Sequence, residues 1–507
     1  MKRSIVMHPF LFAVYPVLFL YSANMAQVEI SEIYLPCAIL LGLTVASFPI
    51  GRLIFRNNRK TGLLISLFWI FFFTFGRLYR PYRIAILLAF LASVYFIVAS
   101  RKELRGLNSI MNFIAAALVG ITVVNIGTVG FRRGGGAENI DNSVEADSAF
   151  DTAEHSAFRP DIYYIILDGY ARQDILEKYY GFDNSDFLNY LEDKGFYVAR
   201  KSRSNYAQTL LSLASSLNLR YNDSLPAVSG NDPGERQPLR GMVKNNRVIE
   251  FLRLYGYKSA AFPTGYSSTE INKADYYLKP GLYLNEFQNM LLGTTFAIAA
   301  MKQLKIYFLY DIHRNVIANI FRRLGRMPSY EGPIFVFAHI ISPHPPFVFG
   351  PNGERVNRKS TIDLCDGSHF MKLEGADRDT YAESYLKQLK YVNKKIKVVI
   401  DEILSDSSRP CMIILQSDHG PGSLLNWENP DDTNLDERLS ILNAYYFPDG
   451  DYGGLYGEIT PVNTFRIIFN RYFGADYKLL KDESFFSTWN RPYEFINIDD
   501  RAERDGR

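Results

Sequence analysis

The chain has 507 residues, which is too long for one ordinary domain. Hydrophobic residues make up 48% and aromatic residues 15% of it, yet the mean hydropathy is only −0.08, so a strongly apolar part must be joined to an ordinary soluble part. With 56 basic and 53 acidic residues, the formal net charge of +3 argues against a nucleic-acid-binding protein, which normally carries a basic surface. The three cysteines do not have zinc-finger spacing, and both a Cys365–Cys411 disulfide and two unrelated thiols are compatible with the sequence.

The first 130 residues contain five apolar runs, each of roughly the ~20 residues that cross a bilayer as a helix. The runs are Val6–Tyr21, Tyr34–Phe55, Gly62–Leu78, Ile84–Ser100 and Ser109–Val129. Four further runs follow the first at once, which favours an uncleaved helix over a signal peptide. We therefore expect residues 1–130 to form a five-helix, multi-pass transmembrane region.

Basic residues in the short loops predict the orientation of this region. One side of the membrane receives Lys2, Arg3, Arg56, Arg59, Lys60, Arg101, Lys102 and Arg105. The first loop on the opposite side, Ser22–Glu32, contains no Lys or Arg, although the next one carries Arg77, Arg80 and Arg83. The N-terminus is thus predicted to be cytoplasmic, and everything after Val129 is predicted to lie outside the cytoplasmic (inner) membrane, in the periplasm or its equivalent.

After the apolar region the composition changes twice. Residues 131–158 are rich in Gly, Ser, Asp, Glu and Asn and predict a flexible linker. From Arg159 short apolar runs alternate with helical patterns, which indicates an α/β domain with a mainly parallel sheet between helices. We place this domain at residues 159–480 and a C-terminal tail at 481–507. The predicted strands are Asp161–Leu167, Ser259–Pro263, Ile334–Ile341 and Cys411–Gln416.

Polar side chains stand at the ends of three of these strands, where ligand sites of α/β sheets collect. Asp168 follows the first strand, and Asp418 and His419 follow the fourth. The third strand contains His339 and leads to His344. Carboxylate oxygens with an imidazole nitrogen suit a divalent cation, Zn or Mn for example. For any one motif alone, a simple turn or a loop histidine is the competing interpretation.

Thr209 opens an apolar helical pattern, directly after the polar stretch from Ser204 to Gln208. A hydroxyl at a helix N-terminus lies near unpaired backbone N–H groups that favour anions. A bound metal ion would lower the pKa of this hydroxyl and make it a nucleophile. The competing interpretation is an ordinary N-cap threonine.

Asp168, Thr209 and Asp418-His419, in this order, resemble the metal and nucleophile set of the alkaline phosphatase/sulfatase superfamily. The resemblance covers about Arg159 to Tyr472 and includes the strand-like Leu439–Pro448. Five membrane helices before an external domain further resemble lipoteichoic acid synthases and phosphoethanolamine transferases.

This resemblance implies one divalent metal ion (Zn, Mn or Mg) bound by Asp168, Thr209, Asp418 and His419, with Thr209 as the nucleophile. His344, in Ser-Pro-His-Pro-Pro, resembles the histidine that those transferases place beside the phosphate. His339 and Asn205 are candidate substrate-binding residues, and His339 is equally compatible with a core histidine.

The sequence departs from the family pattern in three respects. The sulfatase stretch Cys-x-Pro-x-Arg, whose first residue becomes formylglycine, is missing, and the predicted domain at residues 159–480 does not contain the second metal pair Asp-x3-His. The transferases usually have Glu where this chain has Asp168.

The leading hypothesis is a membrane-bound phosphotransferase. It moves a phospho-alcohol group, such as phosphoglycerol or phosphoethanolamine, from a lipid donor to a surface glycan or lipid through a threonine intermediate. A metal-dependent phosphodiesterase or sulfatase-like hydrolase, and a non-catalytic membrane-tethered binding module, are the alternatives.

Two segments have two interpretations each. Residues from Pro280 to Leu324 are either an amphipathic insertion on the bilayer or helices packed on the soluble domain. The acidic stretch from Glu428 to Glu437 is either a solvated loop or part of the acceptor site.

Overall fold

The computed structural model describes residues 5–25, 28–77, 80–134, 158–225, 234–304, 306–356, 364–406 and 409–499. It divides into two compact units, formed by residues 1–139 with 284–308 and by residues 140–283 with 309–507. We call them the helical unit and the α/β unit. Most of the predicted linker, residues 135–157, and the end of the predicted tail, from residue 500, lie outside the described residues.

The helical unit begins with five helices where five apolar runs were predicted. They are α1 (His8–Ala23), α2 (Tyr34–Phe55), α3 (Asn58–Thr74), α4 (Arg80–Ala99) and α5 (Arg105–Gly134). Within the described residues three segments are long and apolar enough to cross a membrane, namely Ile30–Phe55, Tyr82–Ala99 and Arg105–Gly130. Helix α1 is apolar but has 16 residues, and α3, with 17, begins with charged side chains. The prediction of five spans is therefore confirmed for three segments only.

Packing of the helical unit leaves apolar side chains on its outside. Phe12 and Val17 of α1, Trp69 of α3 and Ala115 of α5 are buried together. Large apolar side chains elsewhere are exposed, with Phe113 at 75%. Such exposure would be unfavourable in water over a large patch, but it is the expected state of a lipid-facing helix.

The remaining elements alternate between helix and strand. The helices are α6 (Gln173–Tyr180), α7 (Ser185–Asp193), α8 (Thr209–Asn218), α9 (Gln237–Lys244), α10 (Arg247–Leu254), α11 (Glu286–Gly293), α12 (Phe296–Gln303), α13 (Phe308–Leu324), α14 (Gly367–Glu374), α15 (Arg378–Asp406), α16 (Leu435–Leu439) and α17 (Pro461–Phe473). The strands are β1 (Asp161–Leu167), β2 (Tyr197–Val198), β3 (Lys258–Ala261), β4 (Tyr276–Tyr277), β5 (Ile334–Ile340), β6 (Cys411–Gln416), β7 (Asn443–Tyr446), β8 (Phe485–Phe486) and β9 (Ile496–Asn497).

Helices α11 and α12 belong to the helical unit, although the sequence places them inside the soluble half. Phe287 and Leu291 of α11 are buried in the same cluster as Phe12 and Trp69. Phe296 of α12 packs against Phe71 of α3 in a tilted arrangement, with ring centroids 5.3 Å apart. This part of the segment from Pro280 to Leu324 thus packs on the N-terminal helices, whereas α13 belongs to the α/β unit.

Seven strands of the α/β unit form one sheet in the order β2-β7-β6-β1-β5-β3-β4. Strand β1 runs parallel to both neighbours, β5 and β6, and β7 is antiparallel to β6. All seven residues of β1 are buried, as expected of a central strand covered on both faces. The predicted α/β fold with a mainly parallel sheet is confirmed, and β1 and β6 have the predicted bounds.

The register of the sheet places the predicted site residues at the carboxyl end of its central strands. Ile166 of β1 pairs with His339 of β5 on one side and with Gln416 of β6 on the other. Asp168 and Asp418 each follow two residues later, so both leave the sheet at its carboxyl end beside His339. Three sequence-distant groups therefore meet at one place.

Candidate active site

Two buried carboxylates form the centre of the site. Asp168 and Asp418 are 2% and 1% exposed, and Asp168 Oδ1 and Asp418 Oδ2 have no hydrogen-bond partner among the described residues. A buried anionic oxygen without a partner is costly unless a cation neutralises it. Single ligand atoms of Asp168, Asp418 and His339 lie within 4.8 Å of one another, so the site fits a metal ion.

His419 supplies a further nitrogen beside both carboxylates. Its Nε2 lies 3.6 Å from Asp168 Oδ1 and 3.3 Å from Asp418 Oδ2. Its Nδ1 lies 2.9 Å from Gly420 O, and this bond assigns the ring hydrogen to Nδ1 and leaves a lone pair on Nε2. Burial and the charge of Arg438 lower the pKa of His419 and keep the ring neutral, as a metal ligand must be.

Thr209 is the first residue of α8, and its hydroxyl reaches this centre. Thr209 Oγ1 lies 2.9 Å from His419 Nε2. The preceding Gln208 is extended and does not cap the helix with its side chain. Ser212, one turn later, donates to Asp418 O at 2.7 Å and ties the helix to the end of β6. The structure thus brings together all four predicted metal-binding residues.

The hydrogen bonds of His339 hold Asp168 in place. His339 is 1% exposed, its Nε2 lies 3.1 Å from Asp168 Oδ2, and its Nδ1 lies 2.9 Å from Thr269 Oγ1. These contacts fit an orienting role, and the same Nε2 is close enough to serve as a metal ligand. Burial opposes the charge on Asp168, but His344 and the His339 hydrogen bond hold its pKa well below the usual range.

His344 lies on the other side of Asp168. Its backbone N–H donates to Asp168 O at 3.0 Å, and its ring lies 6.0 Å from that of His419. Its Nδ1 donates to Pro345 O, which leaves Nε2 3.7 Å from Asp366 Oδ2. Burial lowers the pKa of His344, but Asp168 and Asp366 together raise it above its ordinary value.

Asn205, the other candidate substrate-binding residue, is fully buried and bonded to the protein. Its amide nitrogen donates to Glu483 O at 2.9 Å, and its oxygen accepts from Val462 N at 2.9 Å. Phe485 N donates to the Asn205 carbonyl at 2.8 Å. These contacts hold the segment that leads to Thr209.

Residues 484–498, predicted as a tail, are part of the same support. Ala207 N donates to Phe485 O at 3.2 Å, and the Gln208 amide donates to Ser487 Oγ at 3.1 Å. Phe486 is fully buried in a cluster with Ala207 and Trp427. Ala207 and Gln208, the two residues before Thr209, are therefore fixed by a segment almost 280 positions later in the chain.

Asp366 and Arg438 are site residues that the sequence did not indicate. Arg438 Nη1 donates to Asp366 Oδ2 at 2.7 Å, and both side chains are almost completely buried. Asp366 also accepts from Tyr381 at 2.7 Å. Arg438 directly follows the acidic stretch from Glu428 to Glu437, for which a solvated loop was one of two interpretations, and Glu437 is also fully buried. The one local signal of a buried helix is the pair of apolar residues Leu435 and Leu439 within an otherwise polar stretch.

No disulfide joins Cys365 to Cys411 in the structure. Cys411 opens β6 and is buried, whereas Cys365 is partly exposed directly before Asp366.

The sequence matches the Sulfatase family over residues 160–466, which is more than half of the chain. Comparison with curated proteins gave no match.

Several solved structures are similar at low sequence identity. Lipooligosaccharide phosphoethanolamine transferase A (EptA) from Neisseria meningitidis, an integral membrane protein, is 12% identical with a TM-score of 0.38, and the match covers 91% of this chain and 94% of that one. The C-terminal periplasmic domain of phosphoethanolamine transferase EptC from Campylobacter jejuni is 14% identical (64% and 93% covered, TM-score 0.39). The phosphonate monoester hydrolase of Agrobacterium radiobacter is also 14% identical, with a TM-score of 0.39, and the match covers 65% of this chain and 80% of that one. At TM-scores this low, these likenesses do not bear on function.

Proposed function

The chain belongs to the sulfatase family, and from this premise we propose that it is a membrane-bound, metal-dependent phosphotransferase with Thr209 as its nucleophile. The group transferred is a phospho-alcohol, such as phosphoglycerol or phosphoethanolamine. The donor is a membrane lipid, and the acceptor is a surface glycan or another lipid. One observation carries the proposal: the Thr209 hydroxyl lies 2.9 Å from His419 Nε2, beside two buried carboxylate oxygens that have no protein partner among the described residues.

Asp168, Thr209, Asp418 and His419 would hold one divalent cation, Zn, Mn or Mg. When bound, such an ion lowers the pKa of a hydroxyl and offsets negative charge on a phosphoryl group. The carboxylates favour its binding because each has a buried oxygen without a partner in the described structure, 3.6 Å (Asp168) and 3.3 Å (Asp418) from His419 Nε2.

The chain's own residues then carry the transfer. Thr209 Oγ1, as the alkoxide, attacks phosphorus, and the bond from phosphorus to the lipid oxygen breaks. His344 gives its proton to that departing oxygen, a role that suits a histidine with a raised pKa. An acceptor hydroxyl next attacks the phospho-threonine, returns a proton to His344 and releases the Thr209 alkoxide.

The helical unit supports the proposal of a lipid donor. Three described segments are long and apolar enough to span a bilayer, and we propose that α1 and α3 complete five spans. An odd number of spans places the α/β unit outside the cytoplasmic membrane when the N-terminus is inside. Domain limits of 1–130, 131–158 and 159–480 remain our assignment, except that α5 extends to Gly134, α11 and α12 belong to the helical unit, and residues 484–498 belong to the α/β unit.

Hydrolysis is the second candidate, because the family is named for ester hydrolysis. Water would replace the acceptor hydroxyl and release the phospho-alcohol. The formylglycine route to sulfate esters does not apply, since Thr209 lacks the primary alcohol or thiol that this oxidation requires.

Intact-mass analysis of the full chain in detergent micelles tests the proposal. The protein is incubated with Zn²⁺ or Mn²⁺ and with vesicles of phosphatidylglycerol or phosphatidylethanolamine. An adduct on Thr209 that carries the lipid headgroup phosphate is expected, and its mass identifies the group.

Two variants serve as controls. Thr209→Ala must lose the adduct, whereas Ser215→Ala must keep it, because Ser215 lies on the same helix but binds Arg220 O at 2.6 Å. Retention of full turnover by Thr209→Ala would refute the mechanism. Equal product formation with and without an acceptor would favour hydrolysis.

A further inference from the structure

Arg438 is a buried cation whose position is fixed on three sides. Its side chain is 2% exposed. Nε donates to Ala207 O at 2.9 Å, and Nη1 donates to Gly420 O at 2.9 Å and to Asp366 Oδ2 at 2.7 Å. Such bonds remove the rotamer freedom that an arginine otherwise has.

The third nitrogen of Arg438 points at the reaction centre. Nη2 lies 3.1 Å from His419 Nε2, and this is its one hydrogen bond within the described part of the chain. Thr209 Oγ1 lies 2.9 Å from the same His419 atom. Arg438 Nη2 and the nucleophile are therefore neighbours around one nitrogen.

His419 Nε2 cannot satisfy all of these contacts at once. Its Nδ1 carries the hydrogen, so Nε2 has a single lone pair. Whenever that lone pair is directed to the metal site, the N–H groups of Arg438 Nη2 lose their acceptor. A buried donor without an acceptor is costly, so the geometry requires another acceptor at this position.

A phosphoryl oxygen is the acceptor that fits. It must lie next to Thr209 during attack, which places it next to Arg438 Nη2 as well. Guanidinium groups bind phosphoryl oxygens through strong charge-assisted hydrogen bonds. In addition, residues 159–480 do not contain the Asp-x3-His pair of two-metal enzymes, which favours a side chain as the second positive centre.

We propose that Arg438 is a further catalytic residue, which binds a non-bridging phosphoryl oxygen through Nη2 while Thr209 attacks. Asp366 is its positioning partner, because it fixes Nη1 and is itself fixed by Tyr381. This inference rests on the proposed function for the identity of the substrate, but phosphate binding by Arg438 can be measured without turnover.

The test uses the full chain in detergent with the variants Arg438→Met and Arg438→Lys. Zn²⁺ stoichiometry, the affinity of the Zn²⁺-loaded protein for inorganic phosphate, and kcat/KM for a chromogenic phosphodiester are measured for each. We expect unchanged Zn²⁺ stoichiometry, phosphate binding at least ~10-fold weaker, and kcat/KM lower by about 10²–10³-fold in Arg438→Met. Arg438→Lys keeps the charge but not the planar fork, so it should fall between Met and wild type.

Arg409→Lys is the matched control, because Arg409 forms a similar ion pair with Asp161, at 2.8 Å, at the opposite end of β1. It should leave phosphate affinity and kcat/KM unchanged. Wild-type phosphate affinity in Arg438→Lys and in a folded Arg438→Met would overturn the inference, as would equal losses in Arg409→Lys. If the wild type binds phosphate through Arg438 but never forms a Thr209 adduct, the inference stands and the proposed function fails. If the wild type forms the Thr209 adduct and turnover proceeds normally in both Arg438 variants, the proposed function stands and the inference fails.

Discussion

Replacing Asp418 by Asn separates metal binding from folding. Asp418 Oδ1 accepts from Gly169 N at 3.3 Å, a bond that the Asn oxygen can keep, whereas Oδ2 has no partner in the described structure. The neutral amide of Asn removes the negative charge that Asp418 carries without a partner at Oδ2. An unsatisfied buried carboxylate oxygen costs about 1–3 kcal/mol. The metal-free Asn variant should therefore unfold at the same temperature as metal-free wild type, or higher.

With bound metal, wild type should unfold at a higher temperature than the Asn variant. A ligand at 100 times its Kd stabilises the folded state by about 2.7 kcal/mol. For a domain of this class that corresponds to a rise of roughly 5 °C in the unfolding midpoint. We expect this rise in wild type with Zn²⁺ or Mn²⁺, and its loss in Asp418→Asn.

Thermal unfolding of the full chain in detergent, with added metal or with chelator, measures both effects. Asp161→Asn is the control, since Asp161 is equally buried but pairs with Arg409. That variant should lose stability and keep the metal-dependent rise. A full metal-dependent rise in Asp418→Asn would refute the assignment of Asp418 as a ligand.

Three further predictions concern the nucleophile, the acid and the support of the site. Thr209→Ser should still form the covalent adduct, with kcat lower by up to ~10²-fold because the methyl group no longer restricts the hydroxyl; an adduct on another residue, read by peptide mapping, would contradict this. His344 is protonated below its pKa and loses the proton as the pH rises through it. Asp366→Asn removes a charge that raises this pKa, so it should move the alkaline limb of the pH–kcat profile to lower pH. An unmoved or raised limb would exclude His344 as the acid. Phe486→Ala should destabilise the α/β unit by about 3–5 kcal/mol, because Phe486 is fully buried beside Ala207, and unchanged unfolding would show that residues 484–498 are not part of the fold.

The central sheet could be predicted because its strands carry their own signal. Asp161–Leu167 and Cys411–Gln416 are short, continuous apolar runs rich in β-branched and aromatic residues, and both strands have the predicted bounds. If the strands pair in parallel, the residues that follow each strand must lie at the same end of the sheet. Asp168, Asp418 and His419 follow from that rule.

Arg438 and Asp366 could not be predicted, because their roles depend on contacts between residues far apart in sequence. The pair is 72 positions apart, and Arg438 reaches Ala207 across 231 positions. Locally, an arginine among acidic residues has the pattern of a solvated surface. Arg438 is nevertheless buried, and no short stretch of the sequence around it predicts that burial.

Helices α11 and α12 show a different limit. Their apolar runs are too short for a membrane span, which left an insertion on the bilayer and packing on the soluble domain as the two interpretations. Phe287 and Phe296 instead pack with rings and side chains from α1 and α3. The sequence shows that these residues need an apolar partner, but not which one.

Residues 484–498 impose an order on the maturation of the enzyme. The chain is synthesised from its N-terminus, so the α8 segment is made long before these residues. Until then Ala207 and Gln208 lack the bonds to Phe485 and Ser487 that position them. If Thr209 is the nucleophile that we propose, a nascent or prematurely terminated chain would carry it without the contacts that position it, so activity would be expected only once residues 484–498 have been added.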